Sequence, residues 1–310
     1  MKPFEIKQLL MATDFSTMST NALQTALAIC KRQHAKLTLM HVIENTYMLS
    51  PLESSGTAHA VLASLIKFAN EKLTDLAKQI HTEHGVLIDF IVQAGNPADE
   101  ICAWALHNEI DMIAVGTHGA SGFRECFLGS TAYRVVKNSP CIVLTIPGSQ
   151  TWLEFKKIFF PIRMVPNALE KYNIIRPIIK KNNSTLVIAG LAKLNDPELL
   201  ADIQTITDAI QNCMSSDGVK CTNEVYSCEN AAQQVLEISE AEQPDLIVIT
   251  ATMNTCVKDF FLDPYAQDIV NLARFPVLSV RPRLTQKFVR ENYNELFPVE
   301  EILSQTRAPT

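Results

Sequence analysis

Glycine is scarce in the second half of this 310-residue chain: eight of the ten glycines precede Trp152, and only Gly190 and Gly218 follow it. None of the eight cysteines forms a C-x-x-C pair, which excludes the zinc and redox motifs built on that spacing. Cys213, Cys221 and Cys228 lie seven or eight residues apart, matching no standard ligand set, so reduced and mostly buried thiols are expected. A surplus of positive charge is also missing. With 27 Lys and Arg against 33 Asp and Glu, the net charge of -6 argues against nonspecific nucleic-acid binding. No apolar run reaches spanning length, and Lys2, Glu5 and Lys7 interrupt the start where a signal peptide would be apolar. A cytoplasmic protein is expected, with no membrane and no nucleic acid among its partners. Two phosphate loops are absent as well: G-x-x-x-x-G-K-[ST], and G-x-G-x-x-G after the first strand. Their absence sets aside a P-loop ATPase and a dinucleotide oxidoreductase.

What is present is repetition. IKQLLMATD (6–14) and LTLMHVI (37–43) have counterparts in FKKIFFPIR (155–163) and TLVIAGL (185–191) at one offset of 149 residues, which sets Asp14 opposite Arg163 and His41 opposite Gly190. Further on, GNPADEICAWALHNEIDMIAVG (95–116) lies over ENAAQQVLEISEAEQPDLIVIT (229–250) at an offset of 134, pairing Asn96 with Asn230 and Asp111 with Asp245. Each copy ends in a Pro-led apolar run, CIVLTI after Pro140 and VLSV after Pro276. Strands such as DMIAV and DLIVI, apolar at nearly every position, belong in a parallel sheet buried on both faces. The expected fold is therefore α/β, two tandem doubly wound parallel five-stranded sheet domains of Rossmann-like type. Residues 1–148 form the first, 152–282 a degenerate second, and 283–310 a tail that carries no recognisable chemistry.

The segment richest in chemistry runs from Gly116 to Thr131, with four glycines in its first fourteen residues and the spacing Gly116-x2-Gly119-x9-Gly129-Ser130. It leaves a strand's carboxyl end and enters a helix amino terminus. Glycine there permits positive φ and close backbone approach, and the helix terminus offers unpaired N–H donors and partial positive charge to a phosphate. Ser130 and Thr131 add hydroxyls, and Arg124 adds a cation. The plain alternative is a Gly-rich connection in which Ser130 merely caps the helix. Against it, the second copy has Thr250, Met253, Asp263 and Pro264 opposite Gly116, Gly119, Gly129 and Ser130. A connection that needed glycine for the fold alone would need it in both copies. Asp14, at the end of the first strand, suits a ribose hydroxyl or, equally, an Asx turn.

Together MATDFS, MHVI, GNPADEI and GTHGASGFRECFLGST resemble the universal stress protein family across both halves, and the glycine spacing resembles its ATP-binding branch. The resemblance implies a fold like that of the adenine nucleotide alpha hydrolases. It also implies adenine and ribose contacts from Thr13, Asp14 and Val42, with Ala12 and Val115 lining the pocket. Phosphates would meet Gly116, His118, Gly119, Gly129, Ser130 and Thr131. Ala12 departs from the proline common in the family. ATP or AMP is the implied ligand, and magnesium usually accompanies ATP although no residue demands it. Members commonly pair through their last strands, which implies an intrachain pseudo-dimer with CIVLTI beside VLSV; whether a homodimer also forms is left open. A regulatory role biased by nucleotide occupancy is the leading expectation. A slow hydrolase using His118, His41 and Asp14 is an alternative, as is a scaffold taking an apolar ligand at Met253, Phe260 and Phe261. No metal site is expected, His81 and His84 fitting a solvated helix face.

Overall fold

The computed structural model describes residues 4–44, 56–117, 129–148, 150–165, 170–251, 253–254 and 261–281. The first half runs β1 (Gln8–Ala12), α1 (Thr17–Gln33), β2 (Lys36–Glu44), α2 (Gly56–His84), β3 (Ile88–Gly95), α3 (Pro97–His107), β4 (Met112–Gly116), α4 (Ser130–Asn138) and β5 (Ile142–Ile146). The second runs β6 (Lys157–Ile162), α5 (Glu170–Asn182), β7 (Thr185–Lys193), α6 (Pro197–Ser216), β8 (Cys221–Cys228), α7 (Ala231–Glu242) and β9 (Leu246–Thr250). A two-stranded ribbon of β10 (Met253–Asn254) and β11 (Phe261–Leu262) follows, then α8 (Pro264–Leu272) and β12 (Val277–Val280).

Ten strands form one sheet in the order β3-β2-β1-β4-β5-β12-β9-β6-β7-β8. The left five and the right five have the same doubly wound order reflected about the centre. Within each half every pairing is parallel, and the halves meet where β5 and β12 run antiparallel, with Leu144 opposite Leu278. Because the join is antiparallel, the carboxyl ends of the two sets of strands open on opposite edges of the sheet.

The repeated residues do repeated work. Asn96 and Asn230 cap α3 and α7, their side chains accepting from the N–H of Ala98 and Ala232. Asp111 accepts from the N–H of Lys7 and Gln8, both at 2.8 Å, and Asp245 accepts from Lys157 at 2.8 Å, so each carboxylate fastens the loop before one strand to the start of another. The drop in offset from 149 to 134 falls between the second and third strands, where α2 has 29 residues and α6 has 20. The two glycines of the second half also have structural reasons. A Cβ on Gly190 would come within 2.6 Å of Ile203 Cγ2, so glycine lets α6 lie on β7, and Gly218 turns the chain after α6 at φ 74°.

Helices reinforce the central join on both faces. Gln33 of α1 donates to Pro177 O of α5 at 3.4 Å and accepts from Lys181 at 3.2 Å, while Tyr133 of α4 donates to Gln267 of α8 at 3.3 Å. The connecting segment is held to α1 by Trp152 N–H on Thr25 at 3.1 Å. Of the described cysteines, Cys30, Cys102 and Cys141 are buried free thiols, Cys221 and Cys228 are half-buried, and Cys213 is exposed. Among the described residues, no helix is long and apolar enough to cross a membrane.

One core group breaks the apolar pattern. Lys171 of α5 is 2% exposed, with Nζ donating to Pro161 O at 2.5 Å and Val248 O at 3.1 Å and lying 4.1 Å from the Phe160 ring centre. Burial, aided by Arg163, holds its pKa well below 10.5. Two hydrogen bonds of about 1 kcal/mol each do not offset the several kcal/mol lost in desolvating an ammonium, whereas a neutral amine satisfies both carbonyls with its two N–H groups. An unfolded chain keeps this proton up to 10.5, so folding is opposed between the lowered value and 10.5 by the proton it must release. Stability from this site is complete above 10.5 and declines as pH falls toward the lowered value. Lys171→Met is expected to raise the melting temperature at neutral pH and to flatten the rise in stability toward alkaline pH, as read by thermal unfolding over a pH series.

Candidate functional site

Where β1 ends, the chain reverses into α1 through a turn with an unusual residue at its centre. Phe15 has φ 62°, a left-handed conformation that costs a bulky side chain about 1–2 kcal/mol. Local contacts hold it: its N–H donates to Thr13 Oγ1 at 3.2 Å, its ring lies 4.4 Å from that of His41, and Lys72 Nζ stands 5.1 Å above it. His41 in turn holds Thr13 O through Nδ1 at 2.8 Å, and Thr13 N–H donates to Met40 O at 2.9 Å. Thr13 is therefore a brace, with its N–H, carbonyl and hydroxyl all engaged. Asp14 falls two residues beyond β1 rather than at its end, and its Oδ1 accepts from Ser16 N–H at 3.0 Å. That is the Asx-type turn, yet the turn also sets Asp14 at the mouth of a cavity.

The cavity, of about 490 Å³, opens at the carboxyl edge of the first half. Ala12, Thr13, Asp14, Val42, Val115, Gly116, Gly129, Ser130 and Thr131 all line it, so nine residues singled out from the sequence converge on one space. His118, Gly119 and Arg124 lie outside the described residues, as do Phe260 and the side chains of Met253 and Phe261 in the second half. The sequence reading did not include Ser19, Met40, Glu44, Pro97, Ile101, Thr117 or Ala132, which also line the cavity. Strand alternation was a usable signal for two of them, since Met40 and Glu44 share a face of β2 with Val42.

Charge is distributed unevenly across this space. β2, β1 and β4 lie side by side at about 4.8 Å per step, so the cavity extends about 10 Å from an apolar end to a polar one. Met40 and Val42 of β2 with Pro97 and Ile101 of α3 make an apolar wall bordered by the Glu44 carboxylate, Asp14 stands at the turn after β1, and the amino terminus of α4, tied to α3 through Arg134 and Asp99 at 2.8 Å, supplies the polar wall. Gly129 is the N-cap of α4 and among the described residues no side chain caps it, so Ser130 is the first helical residue and not the cap. Its φ of -56° is ordinary, and its glycine has a different reason: its N–H donates to Thr117 O at 2.7 Å, and a Cβ would lie 3.3 Å from that same oxygen. The start of α4 thus presents first-turn N–H groups, which have no intrahelical acceptor, to the cavity.

The second half shows the same place filled from within. Asp263, opposite Gly129, caps α8 by accepting from Tyr265 N–H at 3.3 Å. It also pairs with Arg163, the residue opposite Asp14, at 2.7 Å, and that guanidinium stacks 3.5 Å over the Tyr265 ring. A carboxylate already sits at this helix amino terminus with its own counter-cation.

Comparison with known proteins agrees with this geometry. The family model described as "Universal stress protein family" matches residues 5–147. The chain is 32% identical over 145 residues to the universal stress protein YxiE of Bacillus subtilis, covering 45% of this chain and 97% of that one. It is 31% identical over 141 residues to a universal stress protein of Methanocaldococcus jannaschii, covering 45% and 81%. In fold, a crystal structure of a universal stress protein from Archaeoglobus fulgidus superimposes with a TM-score of 0.72 over 90% of this chain and 99% of that one, at 20% identity. The family model over the first half and these relatives lead to one conclusion, that the chain belongs to the universal stress protein family.

Proposed function

We propose that the first half, residues 1–148, binds one adenine nucleotide, ATP or AMP, and that the chain is a stress-response regulatory protein whose occupancy biases its binding to other proteins. In this reading residues 152–282 form a structural or partner-binding domain. The observation that carries it is the contrast between two equivalent helix amino termini: among the described residues no side chain caps α4, which faces a cavity, while α8 is capped by Asp263 with Arg163 as its counter-ion.

The cavity suits the parts of a nucleotide in order. A base would lie among Met40, Val42, Pro97 and Ile101, a ribose beside Asp14, and phosphate on Ser130, Thr131 and the first N–H groups of α4. Magnesium would arrive on the phosphates of ATP.

Calorimetric titration of the purified chain with ATP and with AMP is expected to give one site per chain, abolished by Gly116→Val and weakened about tenfold by Asp14→Ala, the loss of one good hydrogen-bond acceptor. A well-folded wild type that binds neither ligand would sink the proposal. Arg163→Ala should leave the stoichiometry at one and cost about 1–3 kcal/mol of stability, because it removes the charged hydrogen bond to the part-buried Asp263 carboxylate and the stacking on Tyr265. Denaturant unfolding beside the same titration checks both.

A further inference from the structure

The helix that forms the polar wall of the cavity is gripped at its other end by the opposite half of the chain. Arg281, the residue after β12, is 2% exposed and donates through Nη2 to Val136 O at 2.6 Å and to Lys137 O. These are last-turn carbonyls of α4. Burial lowers the pKa of Arg281 only to about 10, so it is a cation at neutral pH and opposes the negative end of the helix. A second contact from the same half, Gln267 on Tyr133, meets α4 midway.

A nine-residue helix has too few internal hydrogen bonds to set its own position, so packing and end contacts set it. We infer that Arg281 is a positioning residue for the phosphate end of the cavity: the second half, whose equivalent place is filled, holds α4 so that Ser130 and Thr131 stand at the correct height beside β4. Moving the far end of so short a rigid element displaces the near end by a similar amount. The contribution falls mainly on phosphate, because the hydrogen bonds of Arg281 go to α4, which carries Ser130 and Thr131, whereas Met40 and Val42 of the apolar wall stand on β2. This inference rests on the nucleotide reading of the cavity.

Arg281→Met in the full chain tests it, with AMP and adenosine titrated in parallel against wild type. AMP affinity is expected to fall about five- to tenfold, the share of a lost charged hydrogen-bond pair that reaches the site, while adenosine affinity stays unchanged. Arg281→Lys should recover part of the AMP affinity, and amide hydrogen exchange should quicken over Tyr133–Asn138 in Arg281→Met. If Arg281→Met does not fold, Tyr133→Phe removes the midway contact and should weaken AMP in the same selective way by a smaller factor. Equal AMP affinity in wild type and variant, or a parallel loss for AMP and adenosine, would overturn the inference alone. Absence of binding by wild type to either ligand would overturn the nucleotide reading and this inference with it.

Discussion

Backbone pairing between β5 and β12 is the constraint on which the rest of the molecule depends. Every residue of both strands is buried, and the pairing gives the backbone N–H and C=O groups along the seam partners that water does not reach. Joining the edges satisfies both at once and makes one ten-stranded sheet. The contacts of α1 with α5 and of α4 with α8 follow, since pairing the two central strands brings those helices side by side on the two faces.

The two halves differ most where doubly wound folds place ligands. Among the described residues the amino terminus of α4 has no side-chain cap and borders a cavity, whereas that of α8 is capped by Asp263 beside an arginine. Asp263, Arg163 and Tyr265 contact one another, and Lys171 fills the neighbouring interior with its Nζ donors meeting two strand carbonyls. The second half has therefore not merely lost glycines. Asp263 and Arg163 occupy the place that lies open to the cavity in the first half.

The sheet was legible because its signals are local and repeated. Apolar runs such as DMIAV and DLIVI, the paired caps Asn96 and Asn230, and the paired Asp111 and Asp245 each appear twice. Of the nine cavity residues, Asp14, Gly116, Gly129, Ser130 and Thr131 stood out by type and spacing and by contrast with the second copy, while Ala12, Thr13, Val42 and Val115 came from the family resemblance. What escaped depends on partners far away in the chain. Arg281 meets Val136 across 145 residues, and nothing near either position advertises the bond. The left-handed Phe15 depends on the His41 ring and on Lys72, and bulky aromatics seldom adopt that conformation. Gly129 was singled out for backbone freedom, but its φ is ordinary and its small size against Thr117 O is what matters. The arginine opposite Asp14 was visible as a lost acceptor, whereas its pairing with Asp263 required the fold.

Because both halves of the central seam reside in one chain, their meeting is independent of dilution, and their symmetry is only approximate. In a pair of identical copies, every substitution at one ligand edge appears at the other as well. Here a change that closes one edge leaves the opposite edge untouched. Covalent linkage thus permits the two edges to differ: one keeps an open cavity beside a helix amino terminus, and the other has that place occupied by Asp263 and Arg163.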